Sequence, residues 1–200
     1  MENKQQLVIS VDVDAFFNTH VYNKYIETSV PYEQSWGMLK VRLGDDFVKF
    51  NKEFYDWVNG LLRNVVTKDT RVHIIEEHDE INQYLKDNDV RDSKCVNIDA
   101  HHDLSYFNDN SVLNIENWVS FAKWDKLVKD YIWIHHPLSD MLMVAPFDYK
   151  HFCYTDLNNN FDGIEADHIV ICLSRHFTPP EFAYLPLEIK GHCLELKGCA

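Results

Sequence analysis

Short apolar runs that end in polar residues constrain the fold more than any other feature of this sequence. Each run is rich in β-branched residues and too short for a buried helix, so each predicts a strand. Strands that are apolar along their whole length are typical of a parallel sheet covered on both faces. The runs span residues 7–14, 71–77, 94–99, 131–134 and 167–174.

Helical patterns lie between these runs. Apolar residues at helical spacings predict a helix of about twenty residues capped by Asp45. Further helices are predicted over residues 80–86 and 115–129, whereas residues 15–43 show no sustained period. The alternation of strands and helices predicts an α/β three-layer sandwich with a mostly parallel central sheet.

Nothing in the sequence divides this fold into parts. There is no clear linker, repeat or low-complexity segment, and residues 158–163 have the composition of a turn within the domain. We therefore interpret residues 1–200 as one domain, a size that a single core can support.

Charge and composition limit the function classes. With 19 basic and 32 acidic residues the net charge is −13, the wrong sign for coating nucleic acid or an anionic membrane. The field favours metal ions or cationic substrates. The first residues, Met-Glu-Asn-Lys-Gln-Gln, do not have the pattern of a secretory signal, no apolar run is long enough to cross a bilayer, and the five cysteines are irregularly spaced. We therefore expect a cytoplasmic protein with reduced thiols.

The strongest functional signal is the segment Asp-Ala-His-His-Asp at 99–103, which ends a predicted strand. A period of two places Asp99 and His101 on one side, and a turn can bring Asp103 to the same point. Carboxylates held close together raise one another's pKa and reduce stability, a cost that a divalent cation removes. For this segment alone, a solvated polar loop is the alternative interpretation.

Two other strand ends carry similar residues. Asp12 and Asp14 are spaced at i and i+2, and His78 follows the run at 71–77. Taken singly, each is explained by a strand end or a helix cap. Because ligands bind at the carboxyl ends of parallel strands, their joint placement indicates one site.

The combined set holds four carboxylates and two imidazoles, more than one tetrahedral zinc requires. It suits two manganese ions or similar hard cations that share bridging carboxylates, and the chemistry implied is hydrolysis. The predicted metal ligands are Asp12, Asp14, His78, Asp99, His101 and Asp103.

These motifs resemble those of the arginase and ureohydrolase family. The segment at 99–103 resembles its DAHxD motif, residues 10–14 (Ser-Val-Asp-Val-Asp) resemble its SxDxD motif, and His78 stands where that family has the histidine of its GGDHS motif. Together with Ile-Glu-Asn-Trp at 115–118, the pattern is similar to peptide arginases, which convert arginine in ribosomally made precursor peptides to ornithine. The order differs, because the family's DxD motif comes last and here it comes first.

The resemblance implies specific roles. Two Mn²⁺ ions would be bridged by Asp12 and Asp99, with His78 and Asp103 completing one site and His101 and Asp14 the other. Water activated between the ions would attack the guanidinium carbon and release urea. The implied partner is an arginine-containing precursor peptide, and the sequence leaves open whether the chain forms a homo-oligomer.

Two glutamates are candidates for contact with substrate. Glu116 lies thirteen residues beyond Asp103, a position similar to that of the proton-shuttling histidine of arginases, so it is predicted as guanidinium clamp or proton shuttle. The alternative is a first-turn glutamate of a helix capped by Asn114, stabilised by the helix dipole. Glu80, close to His78, is predicted as a further substrate-binding residue.

Three other functions are open at this stage. An aspartyl-phosphate phosphohydrolase would use Asp12 and Asp14, with Asp45 and Asp46 as later metal-binding acids. That reading gives no role to the histidines or to residues 99–103. A non-catalytic metal or peptide-binding module is the second alternative, and a deacetylase-type zinc hydrolase is the third.

Overall fold

The fold is built on one parallel sheet. The computed structural model describes residues 5–105, 111–139, 147–157 and 163–199. In these ranges six strands pair in the order β2-β6-β1-β3-β4-β5, and every pairing is parallel. The strands are β1 (Leu7–Asp12), β2 (Arg71–Ile75), β3 (Ser93–Ile98), β4 (Val128–His135), β5 (Lys150–Cys153) and β6 (His168–Cys172).

Helices flank this sheet, so the predicted α/β class and central parallel sheet are confirmed. They are α1 (Tyr32–Leu43), α2 (Lys52–Val65), α3 (Glu80–Asp87), α4 (Trp118–Trp124) and α5 (Leu185–Cys199). In the described part of the chain no helix is long and apolar enough to cross a membrane.

Each face of the sheet has its own apolar cluster. Ile9 and Val11 of β1 lie in one cluster with residues of α1, α2 and α5, whereas Val8 lies in a second cluster with residues of α3 and α4. Successive strand residues point to opposite faces, so one strand can contribute to both. The face of Val8 also carries Ser10 and Asp12, which places an acid at the end of β1 on the α3 and α4 side.

The predicted helix capped by Asp45 is wrong in its start. Asp45 and Asp46 are exposed, and α2 begins at Lys52, where the Asn51 side chain accepts a hydrogen bond from the Phe54 amide at 3.0 Å. The preceding segment is extended, because the Asn51 amide donates to the Phe16 carbonyl at 2.6 Å. Backbone pairing with residues 16–18 overrides the helical pattern there.

The helix predicted over 115–129 is shorter than expected. Within that range only α4 is helical, and Lys126 adopts a left-handed φ of 57°, after which the chain enters β4.

The sequence patterns also missed α1, β5 and α5. In α1 only Ser35, Trp36 and Leu39 are buried, so it carries no continuous apolar stripe to detect. Of the predicted turn at 158–163, residues 158–162 lie outside the described residues.

Candidate metal centre

The turn after β1 separates its two acids. The strand ends at Asp12, whose Oδ1 accepts a hydrogen bond from the Asp14 amide at 3.0 Å and so caps a short 3₁₀ helix, Val13–Phe16. The i, i+2 spacing predicts that Asp12 and Asp14 lie on one face of a strand. This is wrong for Asp14, because the strand ends at Asp12 and Asp14 lies in the turn that follows. The turn sends the two carboxylates to different imidazoles.

The end of β3 supplies three more side chains. The strand ends at Ile98, and the Asp99 Oδ1 accepts a hydrogen bond from the His101 amide at 2.8 Å. Asp103 has a left-handed φ of 52°, which reverses the chain. Asp99 and His101 are thus brought together by a turn and not by strand periodicity, and Asp103 turns back toward Asp99 at His78, in a different group from His101.

His78 is the centre of a first cluster. Its Nδ1 lies 3.1 Å from Asp12 Oδ2, 3.1 Å from Asp99 Oδ2 and 3.0 Å from Asp103 Oδ2. All four side chains are buried. Carboxylates from three separate positions therefore converge on a single nitrogen atom.

His101 is the centre of a second cluster, which shares Asp99 with the first. Its Nδ1 lies 3.3 Å from Asp14 Oδ2 and 3.6 Å from Asp99 Oδ1. The two oxygens of Asp99 thus face different imidazoles. All six predicted ligands are brought together, in two groups that each combine one histidine with acids.

The acids of these clusters are in an unfavourable electrostatic environment. Burial, with the charges of Asp12 and Asp99, raises the pKa of Asp14 to about 7. Burial and the charge of Asp99 likewise raise the pKa of Asp103 well above its usual range. Burial would also raise the pKa of Asp99, but hydrogen bonds with His101 and His78 hold it well below its usual value.

A divalent cation fits these two groups of ligands. A single Nδ1 proton can serve only one of the three carboxylate oxygens around His78, so at least two of these oxygens face the nitrogen with no proton between them. Asp14 Oδ1 is buried and has no hydrogen-bond partner among the described residues. Oxygen and imidazole donors in this ratio suit hard or borderline divalent ions. The buried acid and histidine groups can therefore hold metal ions.

Most of the candidate ligands have a dedicated partner that fixes their orientation. Ser10 Oγ lies 2.8 Å from His78 Nε2, the Trp118 indole donates to Asp103 Oδ2 at 2.6 Å, and the Asn97 amide donates to Asp99 Oδ2 at 3.0 Å. Ser174 donates to Asp12 Oδ2 at 2.5 Å. Partners of this kind set the tautomer and direction of metal ligands.

Asn23 occupies the corresponding position at His101. Its amide lies 2.6 Å from His101 Nε2. An imidazole whose Nδ1 lone pair faces a cation carries its proton on Nε2 and needs an acceptor there. A half-turn of the amide brings Asn23 Oδ1, which has no other hydrogen-bond partner among the described residues, to this nitrogen. A cation at His101 Nδ1 would therefore favour the flipped orientation of the Asn23 amide.

A pocket of about 400 Å³ opens onto both clusters. Its floor includes Asp12, Asp14 and both cluster histidines, and its walls include Ile26, Ile115 and Phe177. Glu116 also lines it, in a turn just before α4 in which its amide donates to the Asn114 side chain at 2.9 Å. Glu116 is therefore not in the first turn of a helix, and Asn114 is not the residue that caps α4.

The other polar candidates lie apart from this pocket. Glu80 is exposed at the start of α3, where its carboxylate is 3.4 Å from the Glu77 amide. His102, which lies between two of the predicted ligands in the sequence, packs against Trp133 and Tyr149. Neither residue lines the pocket, and the substrate-binding role of Glu80 stays a prediction.

Sequence reasoning missed the orienting residues. Ser10 and Trp118 lie inside the quoted motifs, so the motifs themselves contained that signal. Asn23 lies in a segment without periodicity, and Cys172 lies in an apolar strand, where its spacing gave no indication of a site. The structure nevertheless places Cys172 in a group with Asp12 and His78.

No protein-family model, curated protein or solved structure matches this chain. The structure itself shows an α/β fold with a six-stranded parallel sheet and buried histidine and aspartate clusters at the carboxyl ends of its strands.

Replacing Asp14 by Asn is expected to stabilise the metal-free protein at neutral pH. Since the folded-state pKa is raised, the native state binds the proton that the unfolded state releases, so Asp14 costs stability increasingly as pH rises from about 4 to about 7. A shift of this size corresponds to at most about 4 kcal/mol. Denaturant unfolding with chelator at pH 5 and pH 8 measures the growing difference.

Asp56→Asn, at an exposed position paired with Lys52, is the matched control and is expected to change stability little at either pH. With Mn²⁺ present the order should reverse, because Asp14→Asn removes a candidate ligand. A metal-free Asp14→Asn protein less stable than the parent at pH 8 would contradict the electrostatic account.

Replacing Ser10 by Ala is expected to weaken Mn²⁺ binding about 10- to 100-fold, because His78 loses the partner that orients it. Isothermal titration calorimetry of metal-free protein measures this. Ser93→Ala is the control: Ser93 is also buried in a strand and donates to the Leu127 carbonyl at 2.7 Å, but at the opposite end of the sheet. Equal affinities in the two variants would exclude an orienting role for Ser10.

Proposed function

We propose that this protein is a binuclear-metal hydrolase of guanidinium groups, of the arginase type. The observation that carries the proposal is the pair of imidazoles, buried His78 and partly buried His101, each facing its own acids and both facing Asp99. Asp99, with one oxygen toward each imidazole, would be shared by the two ions, and Asp12, whose Oδ2 faces His78, would be the second shared carboxylate that the motif resemblance implies.

Two hard divalent ions, Mn²⁺ in our proposal, would supply an activated water and stabilise charge in the transition state. The protein's own contribution is to hold their ligands rigidly. Ser10, Asn97, Trp118 and Ser174 fix four of these side chains through the hydrogen bonds described above. Burial of the carboxylates keeps bulk water from competing for the ions.

The pocket supports a cationic substrate with an aliphatic stem. Its floor is acidic, while Ile26, Ile115 and Phe177 provide apolar walls that can contact methylene groups. Arginine has this character, a planar cation at the end of an aliphatic chain. Water adds to the guanidinium carbon, the bond to the side-chain nitrogen breaks, and urea and a primary amine result.

A peptide is the proposed form of the substrate, as the peptide arginase resemblance implies. The net charge of −13 attracts a cationic segment of a precursor peptide. Lys24 and Thr28, which border the pocket, are exposed, so the rim is accessible to a larger molecule. The product would then be peptidyl ornithine.

The phosphohydrolase alternative is weakened by the position of its second acid pair. Asp45 and Asp46 are exposed in the turn between α1 and α2 and do not line the pocket. That alternative also leaves both clustered histidines without a role. The guanidinium hydrolase uses all six clustered side chains.

The decisive experiment is an assay with manganese-loaded protein and an arginine-containing peptide. Urea release together with a peptide whose mass falls by the difference between arginine and ornithine is the expected result. Asp99→Asn should abolish both, because Asp99 faces both histidines. Free arginine, tested in parallel, reports whether the peptide is required.

Other outcomes point to other functions. Phosphate release from an aryl phosphate favours the phosphohydrolase, and acetate release from an acetyl-lysine peptide favours a deacetylase-type enzyme. Tight Mn²⁺ binding with no turnover of any of these substrates favours a binding module. Each of these results would replace the proposed activity.

Glu116→Gln is expected to lower turnover at least about tenfold while leaving the metal content unchanged. The carboxylate lines the pocket without belonging to either metal cluster, so its loss affects proton transfer or guanidinium binding only. Steady-state kinetics of urea release and metal analysis measure the two effects. Glu195→Gln, at an exposed position on α5, is the control. Unchanged turnover would remove Glu116 from the mechanism.

A further inference from the structure

A buried thiol, that of Cys172, lies next to the first cluster. Its Sγ and the ligating atoms of Asp12 and His78 all lie within 4.8 Å of one another, and all three residues are buried. Ligand atoms around one tetrahedral ion lie roughly 3.3–3.8 Å apart, by the usual bond lengths to zinc. The separations of the three atoms, at most 4.8 Å, thus exceed those around one ion by no more than about 1.5 Å.

The order of the strands explains this proximity. β6 lies between β1 and β2, the strands that lead to Asp12 and His78, and Cys172 is the direct parallel partner of Asp12. Whatever residue stands at position 172 lies beside the contact between the acid and the imidazole. Here it is a thiol, whose Sγ lies 3.3 Å from Ser174 Oγ.

We propose that Cys172, His78 and Asp12 form a second, softer ligand set that captures a thiophilic divalent ion such as Zn²⁺ or Cd²⁺. Thiolate, imidazole and carboxylate together are typical zinc donors, whereas the oxygen-rich set of His78 with three aspartates suits Mn²⁺. The inference concerns ion binding alone and does not require the proposed hydrolase activity.

Binding through sulfur exchanges the thiol proton for the metal ion. The Cys172 thiol loses its proton to solvent, and one bond forms between sulfur and the ion. The ion takes His78 and Asp12 from the oxygen-rich set, so the two arrangements compete for the same side chains. A thiophilic ion is thus expected to displace Mn²⁺ from the His78 position.

The test is a titration of the metal-free full-length protein with Cd²⁺. A thiolate-to-cadmium charge-transfer absorption is expected in the parent protein and in Cys153→Ser, and not in Cys172→Ser. Cys153 is a free, partly exposed cysteine on β5 and is a matched control for loss of one sulfur. Absence of the absorption in the parent, or its persistence in Cys172→Ser, overturns the proposal.

Competition with manganese gives a second measure. Cd²⁺ added to manganese-loaded protein is expected to release Mn²⁺, detected by the paramagnetic resonance of the free ion. Loss of an orienting partner alone costs 10- to 100-fold in affinity, so loss of the thiolate should lower the preference for Cd²⁺ at least about tenfold. Equal preference in the parent and Cys172→Ser contradicts the proposal.

X-ray absorption of the cadmium-loaded parent protein covers the case in which Cys172→Ser does not fold. One sulfur together with nitrogen and oxygen ligands supports the assignment. A shell of oxygen and nitrogen only, or one of several sulfurs, overturns it. The readouts on metal-free protein are independent of urea release, so failure here and failure of the hydrolase assay are distinguishable.

Discussion

Mutual repulsion among buried carboxylates is the constraint on which the site depends. Asp12, Asp14, Asp99 and Asp103 are all almost fully buried within reach of two imidazoles. In a low-dielectric environment four neighbouring carboxylates are stable only when protons or cations neutralise part of their negative charge. The raised pKa of Asp14, about 7, expresses this cost, which metal ions held by these side chains would remove.

The sheet makes this convergence possible whatever the order of the motifs along the chain. β1, first in sequence, lies in the middle of the sheet with β6 and β3 as neighbours, so the acids at its end lie beside those that follow β3. A ligand set requires spatial convergence and not sequence order, as catalytic triads also demonstrate. The N-terminal position of the DxD motif is therefore compatible with the site.

The sequence predicted this architecture because the buried strands are apolar throughout, and it predicted the six clustered residues because they follow strand ends. It failed where tertiary contacts decide: Asn51, and not Asp45, begins α2 because the segment before it pairs with residues 16–18. Asn23 and Cys172 were missed for a related reason. Their relevance comes from which strand or turn lies next to them, and a single sequence pattern does not contain that information.

Strained backbone conformations occur at the same site as the buried carboxylates. Asp103 and Ser174, which both contact the clusters, have left-handed φ values of 52° and 47°, a conformation that costs residues other than glycine of the order of 1 kcal/mol. The strain has a use, because it turns Asp103 back toward His78 and aims Ser174 at Asp12. Repulsion and strain at the carboxyl ends of the strands must be offset elsewhere, and the two apolar clusters on the faces of the sheet supply that stability. The tightly packed core thus holds together a group of acidic side chains that repel one another, and a bound metal ion would relieve that repulsion.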